Sequence, residues 1–321
     1  MIRSLLATFL LFTGSFGATA EDARFHAGVI RATVVGEPSF DSLYWYPTPV
    51  DETPWQAGPF TMPATRNAPV ADGKFPLLLL SHGGGLSGGT PLLLRELAAN
   101  LARRGFVVVA PFHGKSGFQE RSRQMKGALD AVRADPRLGA HTDASKIGMV
   151  GFSLGTAVTL QLAGAVPNPG HLAAYCAAHA QDVMSCSHAP DGRNAPDPAL
   201  SHAAGAAQPI MPPLKAIALL DPYAVLFQRP ELEAVTMPVL IFRPEQSALP
   251  AEPNVVALTT ALPRPPDVRS VPGGHFVFVD VCPDSQMSSS GDVCKDPPGV
   301  DRTAVHRAVE AQLGDFFRQH L

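Results

Sequence analysis

The chain has 321 residues, with 25 Lys+Arg against 28 Asp+Glu, a formal net charge of -3, 45% hydrophobic residues and 17% charged ones. That balance excludes a disordered chain and supplies no cationic excess for nucleic acid, so a small molecule is the expected partner. The length allows two ordinary domains or one large α/β core, and 28 Gly and 32 Pro without a collagen-like period imply many loops between elements. No internal repeat is visible.

Residues 1 to 20 read as a secretory signal peptide. Arg3 precedes the apolar run Leu5 to Phe12, and Ala18-Thr19-Ala20 offers the small residues that a signal peptidase needs before the charged Glu21-Asp22. The apolar run is too short for a bilayer span of about 20 helical residues, so an uncleaved anchor is the weaker reading. The mature chain, 21 to 321, is therefore expected to be exported, with no stable membrane insertion.

Gly28 to Val35 and Ser42 to Tyr46 are β-branched or aromatic runs and predict a leading hairpin, followed by a Pro-rich polar loop from Pro47 to Lys74. From Phe75 onward short continuous apolar runs alternate with helix-period segments, as they do when strands are buried on both faces and joined by crossover helices. The strand runs are Pro76 to Leu80, Phe106 to Ala110, Ile147 to Val150, Ala216 to Leu220 and Val239 to Phe242. The helical segments are Leu92 to Arg104, Gln119 to Arg133, Thr156 to Ala165 and Thr303 to His320. The pattern predicts an α/β fold with a mostly parallel central sheet and helices on both faces. Residues from about Pro167 to Pro213 break the alternation, and we read them as a lid inserted over the carboxyl ends of the strands.

Taken in chain order, the chemistry begins at His82-Gly83-Gly84-Gly85, a glycine-rich turn after the first long strand that lets backbone N–H groups approach a substrate. It resembles an HGGG-type oxyanion loop, with Gly84 as the donor, and His82 reads as a structural hydrogen-bonder. Gly151-Phe152-Ser153-Leu154-Gly155 comes straight off a buried strand and leads into a helical run, which is the context of a nucleophile elbow; Leu154 N–H would be the second oxyanion donor. Gly85-Leu86-Ser87-Gly88-Gly89 satisfies the same bare pattern, but a long loop separates Ser87 from its strand.

A serine hydroxyl needs a base, and in this fold the order is Ser, then acid, then His. His275 in Gly273-Gly274-His275-Phe276 fits the base, since the later His306 and His320 fall on the last helix. Two acids remain open: Asp221, ending the strand Ala216 to Leu220 and the preferred one, and Glu245, following the next strand.

Four cysteines survive in the mature chain, and an oxidising compartment favours disulfides. Each falls in a Pro/Gly-rich or polar loop with a sequence neighbour, so the expected pairs are Cys176 with Cys186 and Cys282 with Cys294, among three possible pairings. A metal site using His171, His179, His188 and His202 around the first pair matches no zinc spacing.

Several strings are more specific than the elbow: Leu43-Tyr44-Trp45-Tyr46-Pro47, Phe75 to Gly85, Gly274-His275-Phe276-Val277-Phe278, and Cys282 to Cys294 followed by Asp296-Pro297-Pro298-Gly299-Val300-Asp301-Arg302. On these the mature chain resembles secreted bacterial α/β-hydrolases called predicted dienelactone hydrolases, related to platelet-activating-factor acetylhydrolases. The resemblance implies a Ser-His-Asp carboxylic ester or lactone hydrolase with no metal or organic cofactor. Dienelactone hydrolases proper use a cysteine nucleophile, which Ser153 is not. An amide or peptide hydrolase with the same triad, and an exported binding protein that kept the fold and lost turnover, are the alternatives. Nothing in the sequence reads out the oligomeric state.

Overall fold

The computed structural model describes residues 24–84, 89–186, 211–287 and 291–321. The signal-peptide segment, Ser87, and most of the lid segment with His188 and His202 lie outside them.

The leading hairpin is β1 (His26–Val34) and β2 (Phe40–Thr48), paired antiparallel in full register from His26 with Thr48 to Val34 with Phe40. The Pro-rich loop that follows carries a small hairpin of β3 (Trp55–Ala57) and β4 (Phe60–Met62), then β5 (Thr65–Arg66) beside β1. The buried strands come next: β6 (Phe75–Ser81), β7 (Val107–Pro111), β8 (Thr142–Phe152), β9 (Ala216–Leu220), β10 (Val239–Gln246) and β11 (Asp267–Gly274). They form one nine-stranded sheet in the order β11-β10-β9-β8-β6-β7-β2-β1-β5. From β7 to β11 every neighbour pair is parallel, and only β2, antiparallel to both β7 and β1, runs against the rest.

The crossovers are α1 (Arg95–Arg103), α2 (Phe118–Ala134) and α3 (Leu154–Leu162), followed by the short α4 (Pro169–Ala178), α5 (Val183–Cys186), α6 (Arg229–Leu232) and α7 (Ala257–Ala261), and the closing α8 (Arg302–His320). Two apolar layers result. α2 and α3 bury Met125, Leu129, Val132, Val158 and Leu160 on one face of the sheet, whereas α1 and α8 bury Leu97, Leu101, Leu313 and Phe317 on the other. A strand with helices on both sides has no solvent face, which is why Leu77 to Leu80 and Val107 to Ala110 are unbroken apolar runs rather than alternating ones.

Cys176 was expected in a loop but lies on α4, and Cys186 ends α5. The Pro and Gly that look like loop punctuation instead start the helix: the Asn168 side chain accepts from His171 N–H as N-cap, Pro169 takes the first position where no donor is needed, and an Ala-rich stretch propagates the turns. The bridges join Cys176 to Cys186, with S–S 2.02 Å, and Cys282 to Cys294, with Cα atoms 5.6 Å apart.

The first crossover carries β6 to β7 on one side, and the next carries the chain back across to β8 on the other. The loops after β6 and β8 therefore part at the carboxyl edge and leave a crevice there. No helix among the described residues is long and apolar enough to cross a membrane.

Candidate active site

The turn from β8 into α3 leaves no room for a side chain at Gly151 or Gly155. A Cβ on Gly151 would lie 2.4 Å from the Gly155 carbonyl oxygen, and one on Gly155 would lie 2.0 Å from the Ser81 carbonyl oxygen. Between them Ser153 is forced to φ 53 and ψ -123, a conformation that side chains adopt only under constraint. The constraint comes from both sides: Ser153 N–H donates to Leu220 O at 3.0 Å, and Thr156 N–H donates to Ser153 O at 2.9 Å. The hydroxyl is thereby raised above the sheet at the start of α3, with Leu154 N–H in the helix's first turn, where the dipole favours negative charge.

His275 opens a 3-10 turn (His275–Phe278) just after β11. Its Nε2 lies 3.0 Å from Ser153 Oγ and its Nδ1 lies 2.6 Å from Asp221 Oδ2. The ring is set between Phe152, with centroids 5.2 Å apart, and Phe276, at 4.9 Å and edge-on. Because Asp221 only accepts, Nδ1 carries the proton and Nε2 is left to accept from the serine hydroxyl. So linked, the three groups can take a proton from Oγ and hold the resulting imidazolium against a carboxylate.

Asp221 follows β9 at φ 44, another left-handed non-glycine position, and is fully buried. Both of its oxygens are held from the end of β10. Arg243 Nη1 donates to Oδ1 at 2.8 Å, and the Ser247 hydroxyl donates to Oδ2. Glu245, the other acid considered, is exposed near the end of β10, while His275 Nδ1 is bonded to Asp221.

The loop after β6 passes directly over Ser153, since a Cβ on Gly83 would lie 3.0 Å from Ser153 Cβ. Its conformation is set by a buried network. His113 N–H donates to His82 Nε2 at 3.2 Å, which leaves the proton on His82 Nδ1 to donate to Gly83 O at 2.7 Å. In a trans peptide, fixing the Gly83 carbonyl toward His82 turns the Gly84 N–H to the opposite side. Arg121 then donates to His82 O at 3.1 Å and to Gly84 O. Burial first, and then the Arg121 charge, hold His82 down to about 3, so this imidazole stays neutral. His113, also buried and beside His82 and Arg121, is likewise held well below the usual histidine range, with Gln124 on its Nδ1 and Ser81 on its Nε2.

A cleft of about 1480 Å³ opens beside His275 and Phe276. α4 and α5 contribute Tyr175 and Met184 to one wall, Phe227 and Pro250 line another part, and Lys295 near Cys294 borders the far side. The Tyr175 hydroxyl donates to Asp182 at 2.9 Å and its ring stacks on His179 at 4.2 Å.

The structure thus brings Ser153, His275 and Asp221 into one hydrogen-bonded line, with Gly84 on the loop after β6 and Leu154 at the start of α3 beside it. Sequence reasoning missed Arg121, His113, Arg243 and Ser247. Arg121 and His82 are 39 residues apart and share no local signal. Arg243 did leave one: a charged residue closing an otherwise buried strand run at the edge where the site sits.

No family model matches the chain, and no curated protein matches it in sequence. Solved structures do match. The chain is similar to a ferulic acid esterase from Streptomyces cinnamoneus, with TM-score 0.60 and 18% identity over 95% of this chain and 92% of that one. It is also similar to a variant of the esterase rPPE, with TM-score 0.51 and 15% identity over 93% and 84% of the two chains. A fungal esterase from Rhizomucor miehei aligns with TM-score 0.51 and 14% identity over 93% and 88%. At these identities the likeness is one of fold: the chain has the α/β-hydrolase fold.

Proposed function

We propose that this protein is a serine esterase that hydrolyses carboxylic esters or lactones, and that it belongs among the exported α/β-hydrolases similar to predicted dienelactone hydrolases and platelet-activating-factor acetylhydrolases. The observation that carries the reading is the line from Ser153 Oγ through His275, 3.0 Å on one side and 2.6 Å from Asp221 on the other, at the carboxyl edge of the sheet. The solved structures compared above are themselves esterases, one a ferulic acid esterase, which supports the same reaction class.

His275 Nε2 takes the Ser153 proton as Oγ attacks the carbonyl carbon. The negative charge that develops on the carbonyl oxygen is met by Gly84 and Leu154 N–H. Collapse expels the alkoxide, which takes the proton back from His275, and an acyl group remains on Oγ. Water then repeats the sequence: it gives its proton to His275, attacks the acyl carbon, and Ser153 leaves with the proton restored. Asp221 stays ionised and holds the imidazole throughout.

A cleft of about 1480 Å³ with Tyr175, Met184, Phe227 and Phe276 on its walls suits an ester with a bulky apolar or aromatic group. We read the segment 167–213, to which α4 and α5 belong, as a lid over that cleft. The two disulfides fit an exported protein, with residues 1 to 20 as its leader.

The test is hydrolysis of p-nitrophenyl esters of increasing acyl length by the mature protein, beside Ser153→Ala and Ser87→Ala. Ser153→Ala is expected to lose about 10⁴-fold or more in kcat and to escape labelling by a fluorophosphonate, while Ser87→Ala keeps both. Normal turnover in Ser153→Ala would overturn the mechanism.

A further inference from the structure

We propose that Arg243 and Ser247 are positioning residues that clamp the Asp221 carboxylate and, through it, set the angle at which His275 meets Ser153. The inference rests on the esterase reading and adds two residues to its machinery.

The final torsion of an aspartate is soft, so a carboxylate in a loop swings unless both oxygens are held. Here a closed ring of four hydrogen bonds holds them: Arg243 Nη1 to Asp221 Oδ1 at 2.8 Å, Arg243 Nη2 to Leu249 O, Leu249 N–H to Ser247 Oγ at 3.0 Å, and Ser247 Oγ to Asp221 Oδ2. The oxygen that Ser247 touches is the one that accepts from His275 Nδ1. Any rotation of the carboxylate therefore breaks the contact with Arg243 and the contact with Ser247 together. Arg243 suits its post for a second reason. Asp221 is fully buried and needs a cation, and a planar guanidinium reaches the carboxylate and the Leu249 carbonyl at once, whereas an ammonium on a flexible stem does not fix both. All the clamping groups come from one strand end and the loop after it, so β10 positions an acid that belongs to β9.

The experiment measures kcat and KM on one p-nitrophenyl ester, and the low-field proton resonance of His275 Nδ1–H without substrate, in Ser247→Ala, Ser247→Thr and Arg243→Lys. Because a misplacement of about 1 Å costs about 10²-fold, Ser247→Ala is expected to lower kcat about tenfold and Arg243→Lys about a hundredfold, with KM within about twofold. The proton resonance should move upfield in both, and Ser247→Thr, which keeps the hydroxyl, should restore rate and resonance. Methylguanidinium added to Arg243→Ala should recover part of the lost kcat, since the Arg243 side chain is 17% exposed and its vacated slot can be reached. Variants that fold normally with wild-type kcat and an unmoved resonance would overturn the clamp. So would losses that Ser247→Thr does not restore. The resonance needs no turnover, so a wild type inactive on esters would overturn the esterase reading while the clamp is decided by the resonance alone.

Discussion

Ser153 can take its strained conformation only because Gly151 and Gly155, two positions away on either side, carry no side chain. At Gly155 an added methyl would meet the Ser81 carbonyl, which is backbone and cannot turn away. Gly155→Ala is therefore expected to cost about 3 kcal/mol or more, the scale of a severe steric insertion, and to lower the melting temperature by about 6–12 °C for a chain of this size. A thermal melt within 2 °C of wild type would show that the elbow yields more easily than its geometry implies. The glycines were legible in the sequence because a sharp strand-to-helix turn has few solutions. The residues that steady the site were not. Arg121, Arg243 and Ser247 act through backbone carbonyls and a carboxylate brought near by tertiary packing, and no spacing in the chain encodes that approach. The choice between Asp221 and Glu245 was open for the same reason: both stand at the carboxyl ends of neighbouring strands, and only the three-dimensional approach of His275 Nδ1 to Asp221 distinguishes them.

Among the elements, the parallel strands were readable because burial on two faces leaves no polar alternation, whereas α4 was hidden behind Pro167, Pro169 and Gly170. α4 and α5 are joined by the Cys176–Cys186 bridge, and Leu172 is the only fully enclosed apolar residue of α4. A cross-link that closes so short a loop restrains those two helices rather than the sheet. Changing both cysteines to serine is expected to raise KM for a long-chain ester about fivefold or more while the main unfolding transition moves by less than about 1 kcal/mol, since the apolar layers on either side of the sheet are untouched. An unchanged KM would detach this wall from substrate binding.

At the scale of the whole molecule, buried ionisable groups give stability a pH dependence with two opposed parts. His82 is held at about 3 in the folded chain against 6.5 in the open one, so the unfolded state binds more protons between these values. Its share of stability is complete above pH 6.5 and lost as pH falls toward 3, and His113 acts in the same sense. Glu310 on α8 runs the other way: burial, then the nearby Glu96 charge, raise it from 4.5 to about 7. Its share is complete below 4.5 and lost as pH rises through 7. Glu310→Gln, neutral at every pH, is expected to match wild type below pH 4.5 and to exceed it by about 1–3 kcal/mol at pH 8 in urea unfolding. Coincident curves at pH 8 would remove Glu310 from this account. The placement of β11 has a consequence of a different kind. It is the outermost strand on its side of the sheet, largely exposed, and the imidazole rides on the turn that leaves it. That turn is tied down from outside the sheet, by His306 donating to Val277 O at 2.8 Å and by Asp280 accepting from Arg95 and from the Glu96 N–H. Ser153, the proposed nucleophile, follows β8 in the middle of the sheet and His275, its proposed base, lies at the margin, so fraying at one border would be enough to disarm the site while the interior stands intact. On the proposed mechanism the working form of the molecule is thus less durable than its architecture, and under denaturing stress catalysis is expected to be the first property to go.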